Sequence, residues 1–270
     1  MPKQRLDVLL VERSLCRSRQ QAQRLIQAGE VLVNQQCIDK AGTEVDVGAI
    51  VEVKARSRFV SRGGEKLVKA LDQFGISVGD RICLDGGIST GGFTDCLLQA
   101  GAKRVYGIDV GYGQVAWNLR QDDRVILRER TNIRYLTAAD LYTEDSPRPD
   151  LGVVDVSFIS LTKVLPALFN LLIEPKEIVL LVKPQFEVGR DRIGKKGVVR
   201  ESQDQAWAIE QVLQAAQGLG WCYQGVAFSP LVGPAGNLEF LLWMSLSPGT
   251  PAPTREELRA LAEQARAEIA

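Results

Sequence analysis

Residues 82–97 read Ile-Cys-Leu-Asp-Gly-Gly-Ile-Ser-Thr-Gly-Gly-Phe-Thr-Asp-Cys-Leu. An apolar run ends on Asp85, four glycines (Gly86, Gly87, Gly91, Gly92) crowd the turn, and from Phe93 the apolar spacing becomes helical. A second apolar run, Val105 to Ile108, ends on Asp109, 24 residues after Asp85. Strand, Gly-rich turn, helix and acid-ended strand is how a doubly wound α/β sheet holds a nucleotide-like ligand. The glycines let the backbone approach the ligand, and the acid can take ribose hydroxyls.

The glycine spacing discriminates between ligands. A dinucleotide fingerprint requires G-x-G-x-x-G, but Ser89 stands where the second glycine after Gly87 belongs. Gly87 and Gly92 have P-loop spacing, yet Phe93 replaces the lysine that grips a phosphate. What remains is D-x-G-x-S-x-G-G-F with an acid at the strand tip. That suits a ligand with an amino group and a ribose but no phosphate, namely S-adenosyl-L-methionine.

With 45% hydrophobic and 24% charged residues, the 270-residue chain has the composition of a soluble globular protein with room for one large and one small domain. No apolar run approaches the roughly 18–20 residues that span a bilayer, and Met1 to Asp7 lacks the apolar core of a secretory signal. The five cysteines are scattered without a C-x-x-C, so a reduced, cytoplasmic protein with no metal site is expected. There is no histidine, which excludes any imidazole base. Charge is uneven: residues 1–66 carry 12 Lys and Arg against 8 Asp and Glu, and the remainder 21 against 25. A basic module ahead of a mildly acidic one points to nucleic acid.

In the basic module, helices are expected over 5–13 and 18–28, with Ser18 as N-cap, Ala22, Leu25 and Ile26 as the apolar stripe and Gly29 as the stop. Strands are expected at 31–34 and 50–53. The signature Leu6-Asp7, Ser18-Arg19, Ala22, Ile26 to Val31 and Val33-Asn34 resembles the small RNA-binding module first seen in ribosomal small-subunit protein four. That resemblance implies RNA contacts by Arg5, Arg19 and Arg24. The expected organisation is an α+β RNA-binding domain at 1–54, a linker at 55–65, a catalytic domain at 66–248 and a charged tail helix in 249–270, free or docked on either domain.

Beyond the linker a helix is expected over 65–74, then strands at 81–85, 104–109, 124–128, 151–155 and 177–182. Helices are expected near 91–100, 112–120, 161–172 and 202–218. The last two strand-like runs, 222–228 and 239–246, have no helix between them, so one should be antiparallel. This predicts a Rossmann-like seven-stranded α/β sheet of the class I methyltransferase type.

Open α/β sheets place ligands at the carboxyl ends of their strands. There the sequence supplies Asp155 and Lys183, with Glu239 opening the last strand and Lys66 in the first helix. Without histidine, a neutral lysine is the best base for a hydroxyl, and a second ammonium with partial burial favours that neutral form. The order Lys66, Asp155, Lys183, Glu239 resembles the K-D-K-E tetrad of the FtsJ-like RNA 2′-O-methyltransferases. Together with Ser61 to Leu67, Asp85 to Thr94, Asp155 to Ser160 and Lys183 to Glu187, it resembles the TlyA family, often labelled hemolysin A, over nearly the whole chain.

That resemblance implies 2′-O-methylation of cytidine in ribosomal RNA, with ribosomal RNA or subunits as partner; from the hydropathy no membrane is expected, and no obligate protein partner is evident. The resemblance places Asp85, Gly87, Ser89, Thr90, Gly91 and Phe93 at the methionine end of the cofactor. Asp109 falls at the ribose and the segment Glu129-Arg130-Thr131-Asn132 near the adenine, with Asn132 and Asp155 among the cofactor contacts. Gly86 departs from the family's usual larger apolar residue, a change expected to loosen the turn. The stretch 184–200 carries Lys195 and Lys196 and is expected to be a mobile RNA-gripping loop, with Arg62 a further RNA contact.

Rival readings remain open at this level. A base N-methyltransferase would place [DN]-P-P-[FY] after the fourth strand, and Asp155-Val156-Ser157-Phe158 lacks both prolines. A membrane-lytic protein fits the family label but not the hydropathy. A pseudouridine synthase could share the front module but would not need the Asp85–Phe93 turn. A binding-only factor would look the same in sequence.

Overall fold

The computed structural model describes residues 2–53 and 58–269. The chain forms two compact units, residues 1–57 and 58–270.

In the first unit, β1 (Lys3–Arg5) pairs antiparallel with β4 (Glu44–Asp46). Helices α1 (Leu6–Glu12) and α2 (Arg19–Gln27) follow β1, and β2 (Val31–Val33) lies between β3 (Gln36–Cys37) and β5 (Val51–Val53). Ser18 caps α2 as expected, its Oγ accepting from Gln21 N at 3.3 Å. Leu6, Leu9, Leu10, Ala22, Leu25, Ile26, Val31 and Val33 form a core within the unit. The pair β1–β4 had no sequence signal. Three residues are too few to show a period of two.

The second unit begins before the expected boundary. Residues 58–65, read from sequence as linker, belong to it. Phe59 is buried and α3 (Gly63–Phe74) starts at Gly63. The remaining linker residues, 55–57, lie outside the described residues. Five strands follow in alternation with helices: β6 (Ile82–Gly86), α4 (Gly92–Gln99), β7 (Arg104–Ile108), α5 (Trp117–Arg120), β8 (Val125–Arg128), α6 (Ala138–Leu141), β9 (Leu151–Val154), α7 (Leu165–Leu171) and β10 (Glu177–Val182). The chain ends with α8 (Pro184–Glu187), α9 (Ser202–Gly218), β11 (Cys222–Phe228), β12 (Phe240–Ser245) and α10 (Arg255–Ile269).

Among the described residues the sheet has seven strands in the order β11-β12-β10-β9-β6-β7-β8. β12 is antiparallel to both its neighbours. This is the class I methyltransferase architecture. The order reverses at β6, so the Gly-rich turn sits at the switch point where such sheets open a crevice. The strands β9 and β10 are buried along nearly their whole length, as parallel strands covered on both faces must be.

Two expected helices are shorter than their spacing suggested. Of 112–120 only α5 is helical. Gly111 N donates to Asp109 Oδ1 (2.7 Å) and Gly113 N to Glu129 Oε1 (2.7 Å), so the loop's backbone donors are spent on side chains. The run 161–172 breaks into a 3₁₀ turn (Leu161–Lys163) and α7, where Pro166 lies in the first turn and lacks an N–H to continue a helix from before it. The tail helix α10 docks on α9 through Leu258, Ala262 and Ala265, all fully buried. Their i, i+4, i+7 spacing is a single helical stripe.

Candidate active site

The turn after β6 is shaped by its glycines. Gly87 has φ +90°, and a Cβ there would lie 2.5 Å from the Asp155 carbonyl oxygen. Only glycine lets β6 and β9 end this close together. At Gly86, a Cβ would meet Ile133 Cδ1 at 3.0 Å. Ile133 and Val154 thus pack against the position where a side chain would stand. Gly91 (φ +98°) leads into α4, where Phe93 and Thr94 are buried.

Asp85 is fully buried. Its Oδ2 accepts from Thr94 Oγ1 at 2.6 Å, while Oδ1 has no partner among the described residues. Burial raises the carboxyl to about 7, with the Asp155 and Asp109 charges adding to the rise and the Thr94 hydrogen bonds opposing it. A buried carboxylate with one free oxygen is a site for a cationic donor. Asp109 accepts from Ser89 N (2.8 Å) and from Gly111 N (2.7 Å). Each oxygen keeps a second lone pair, and Asp109 lines a cavity of about 560 Å³ with Gly87, Ser89, Asn132 and Asp155. Asn132 caps the 3₁₀ turn Ile133–Tyr135 by accepting from Arg134 N at 3.1 Å.

Thr131, in the segment expected near the adenine, also lines this cavity, with residues that the sequence reading missed: Val110, Gln114, Val156 and Ile159. They lie in irregular loops where no spacing rule applies. Ile108, Val110, Ile133 and Val156 give it an apolar wall suited to a flat ring. The orphaned Asp85 oxygen, the Gly87 cradle and this wall fit S-adenosylmethionine, which supplies an electrophilic methyl group when bound.

A second cavity, about 210 Å³, adjoins the first and shares Gly87, Ser89 and Asp155 with it. Ser61, Arg62, Lys66, Thr90, Phe93 and Val232 are among its other walls. The four tetrad residues form two ion pairs. Lys66 Nζ lies 2.5 Å from Glu239 Oε2, a carboxylate 1% exposed. Lys183 Nζ lies 2.5 Å from Asp155 Oδ1 and donates to Ser157 Oγ at 2.9 Å. The Asp155 contact is an ion pair off the hydrogen-bond direction, since Oδ1 has no directed partner. Ser157 gave no sequence signal of its own. A third carboxylate, Glu187, ties the loop after β9 to α8. It accepts from Ser160 Oγ (2.6 Å) and Leu161 N (2.9 Å), and burial pushes its carboxyl up.

The expected RNA contacts fall into different settings. Arg5 and Arg19 both reach the buried Asp7 (3.0 Å each), and their hydrogen bonds hold its carboxyl well below the usual range. Both guanidiniums are about half exposed, and Arg24 is exposed on α2. Arg62 is exposed at the edge of the smaller cavity. The stretch 184–200 is held to the domain at Val188 and Val199. Val188 and Val199 are buried against Ala208, Asn237 Oδ1 accepts from Val199 N (2.9 Å), and Gln205 Nε2 donates to Val199 O (2.8 Å). Lys196 is exposed with φ +65°, and the side chain of Lys195 lies outside the described residues.

Comparison with known proteins agrees with this geometry. The FtsJ-like methyltransferase family matches residues 59–246 and the S4 domain matches residues 4–51. YqxC of Bacillus subtilis (strain 168), curated under an rRNA methyltransferase name, is 47% identical over 266 residues, 97% of this chain and 94% of the relative. The 16S/23S rRNA (cytidine-2′-O)-methyltransferase TlyA of Mycobacterium tuberculosis (strain ATCC 25618 / H37Rv) is 50% identical over 242 residues, 89% of each chain. A solved structure of a hemolysin-named protein from Streptococcus thermophilus is 45% identical, with a TM-score of 0.75 over 99% of this chain and 97% of that one. The chain belongs to the FtsJ-like methyltransferase family, with an S4 domain ahead of the catalytic one.

Proposed function

We propose that this protein transfers the methyl group of S-adenosylmethionine to the 2′-oxygen of a cytidine in ribosomal RNA, acting in the cytoplasm on RNA or ribosomal subunits. The observation that carries the reading is the pairing of Lys183 with Asp155, which lines both cavities, and with Ser157, which lines the larger one. In this reading the larger cavity holds the cofactor and the smaller one admits the ribose. Lys183 would act as the base that takes the proton of the 2′-hydroxyl, and the cofactor, held by Asp85 and Asp109, would supply an electrophilic methyl group to that oxygen. Lys66, fixed by Glu239, lines the ribose side and favours the electron-rich oxygen. Asp155 spans both cavities and orients Lys183. Much of the acceleration comes from alignment of the reacting atoms.

The curated relatives above support the substrate class. No described helix is long and apolar enough to cross a membrane, so nothing in the helices favours a lytic role. In the S4 domain Arg5, Arg19 and Arg24 are the proposed RNA contacts, with Arg62 and Lys196 nearer the catalytic site in sequence and Lys195 beside the latter.

Labelled S-adenosylmethionine incubated with separated ribosomal subunits tests this. The label should resist alkaline cleavage at a single cytidine, and Lys183→Ala should bind RNA without transferring label. Label on a base, or equal transfer by Lys183→Ala, would overturn the proposal.

A further inference from the structure

Among the described residues, every exposed aromatic side chain lies past the carboxyl end of a sheet strand. Tyr112 (65% exposed) and Trp117 (74%) follow β7, Tyr135 (69%) follows β8 and Phe158 (92%) follows β9. The other aromatic residues are buried or half-buried. Single exposed apolar residues are ordinary on a protein surface. Confinement of all four to the segments that follow β7, β8 and β9 is not.

Two of these rings carry an arginine. The Arg130 guanidinium lies 4.2 Å from the Tyr112 centroid, and that of Arg134 lies 5.2 Å from the Tyr135 centroid. Neither arginine is in a salt bridge among the described residues, and Glu129, beside Arg130, is held by Arg120 at 2.7 Å. Hydrogen bonds make the two loops one body: Arg130 N donates to Gly111 O (3.0 Å) and Thr131 N to Asp109 O (2.8 Å). The same loops supply Val110, Gln114 and Asn132 to the larger cavity, so the rim borders the reaction site.

Aromatic faces interleaved with arginines outside any salt bridge match a chain that offers flat bases and phosphates together. A duplex hides its base faces and does not need such a surface, whereas unpaired RNA does. We infer that Tyr112 with Arg130, Trp117, and Tyr135 with Arg134 form a stacking platform for unpaired nucleotides flanking the methylated ribose. This rests on the RNA methyltransferase reading above. The arginines take the phosphates while the rings take the bases, so the platform selects a looped or unwound segment over a helix and tolerates different bases.

The test uses the full-length protein with unmodified ribosomal subunits and with the RNA extracted from them. Tyr112→Ala, Trp117→Ala and Tyr135→Ala should each raise the Kd for RNA about 5- to 100-fold, with thermal melting unchanged because the side chains are exposed. Tyr112→Phe, Trp117→Phe and Tyr135→Phe should bind like wild type, because a ring suffices for stacking. Ultraviolet cross-linking of the wild type should attach RNA to peptides within 110–120 and 130–136.

Unchanged binding by the Ala variants, or no cross-link in those peptides, overturns the platform. So does loss confined to assembled subunits with extracted RNA bound normally, which would make the rim a protein-docking surface. The functional reading fails separately. If wild type binds RNA through this rim yet methylates a base, the platform stands and 2′-O-transfer does not.

Discussion

At the scale of single residues, the two lysines of the site are not equivalent. Lys66 neutralises a carboxylate that water barely reaches, Glu239 at 1% exposure, whereas the partner of Lys183 has a side chain 23% exposed. Removing one member of a buried pair costs about 3–5 kcal/mol because the other charge is stranded. Lys66→Ala should therefore lower the unfolding free energy by about that much and abolish transfer. Lys183→Ala should abolish transfer at a cost below about 2 kcal/mol. Urea denaturation beside a transfer assay separates them, and equal destabilisation would contradict the assignment. Asp85 makes a further prediction. Its folded value of about 7 lies above the 3.8 of an ordinary aspartate. Below about pH 4 both folded and unfolded chains hold this proton. Between about 4 and 7 the unfolded chain has lost it while the folded chain keeps it, so stability falls as pH rises, by up to about 4 kcal/mol. Above about 7 the loss is constant. Asp85→Asn should remove that contribution from stability measured across pH 4.5–7.5. If the cofactor's cationic amino group sits on Asp85, cofactor affinity in wild type should rise as pH climbs through 7.

At the scale of elements, the site depends on keeping the loop after β9 in register with α8 after β10. Their strands pair in parallel from Glu177 opposite Leu151 to Leu180 opposite Val154, but the ladder ends before Asp155 and Lys183. Beyond it, Glu187 holds Ser160 and Leu161. Glu187→Ala should lower kcat about 10- to 100-fold, since a displacement of about 1 Å in a reacting group has that effect. The Kd for S-adenosylmethionine should change little. Glu187→Gln should recover most of the rate, because its amide oxygen still accepts from Leu161 N. A uniform loss of cofactor binding and rate in both variants would mean a general packing defect instead.

At the scale of the whole molecule, each unit has its own core, one running from Leu6 to Val51 and the others built on the large sheet. A fragment beginning at Arg58 should therefore fold and bind S-adenosylmethionine within about two-fold of the full chain. It should lose at least about ten-fold in RNA affinity, and its binding should depend less steeply on salt as the phosphate contacts of the S4 domain are removed. Calorimetry with the cofactor and filter binding at two salt concentrations would check this. Salt dependence equal to that of the full chain would show that the S4 arginines do not face phosphate.

Much of this was legible in the chain itself. The alternation of apolar runs, the Gly87 turn and the acids at strand tips determined the sheet and the kind of ligand, because strand period and glycine conformation are local properties. Three members of the tetrad drew notice because Asp155 and Lys183 directly follow strands and Glu239 directly precedes one, while the set of four, with Lys66, came from the family resemblance. Pairing was not legible: that Lys66 would meet Glu239, 173 positions away, and Lys183 meet Asp155 follows only when β10, β9 and β12 lie side by side. The cavity walls at Val110, Gln114 and Val156, the Glu187 tie, and the gathering of Tyr112, Trp117, Tyr135 and Phe158 on one rim were decided by tertiary structure alone. Loops carry no periodicity, and their neighbours come from distant parts of the chain.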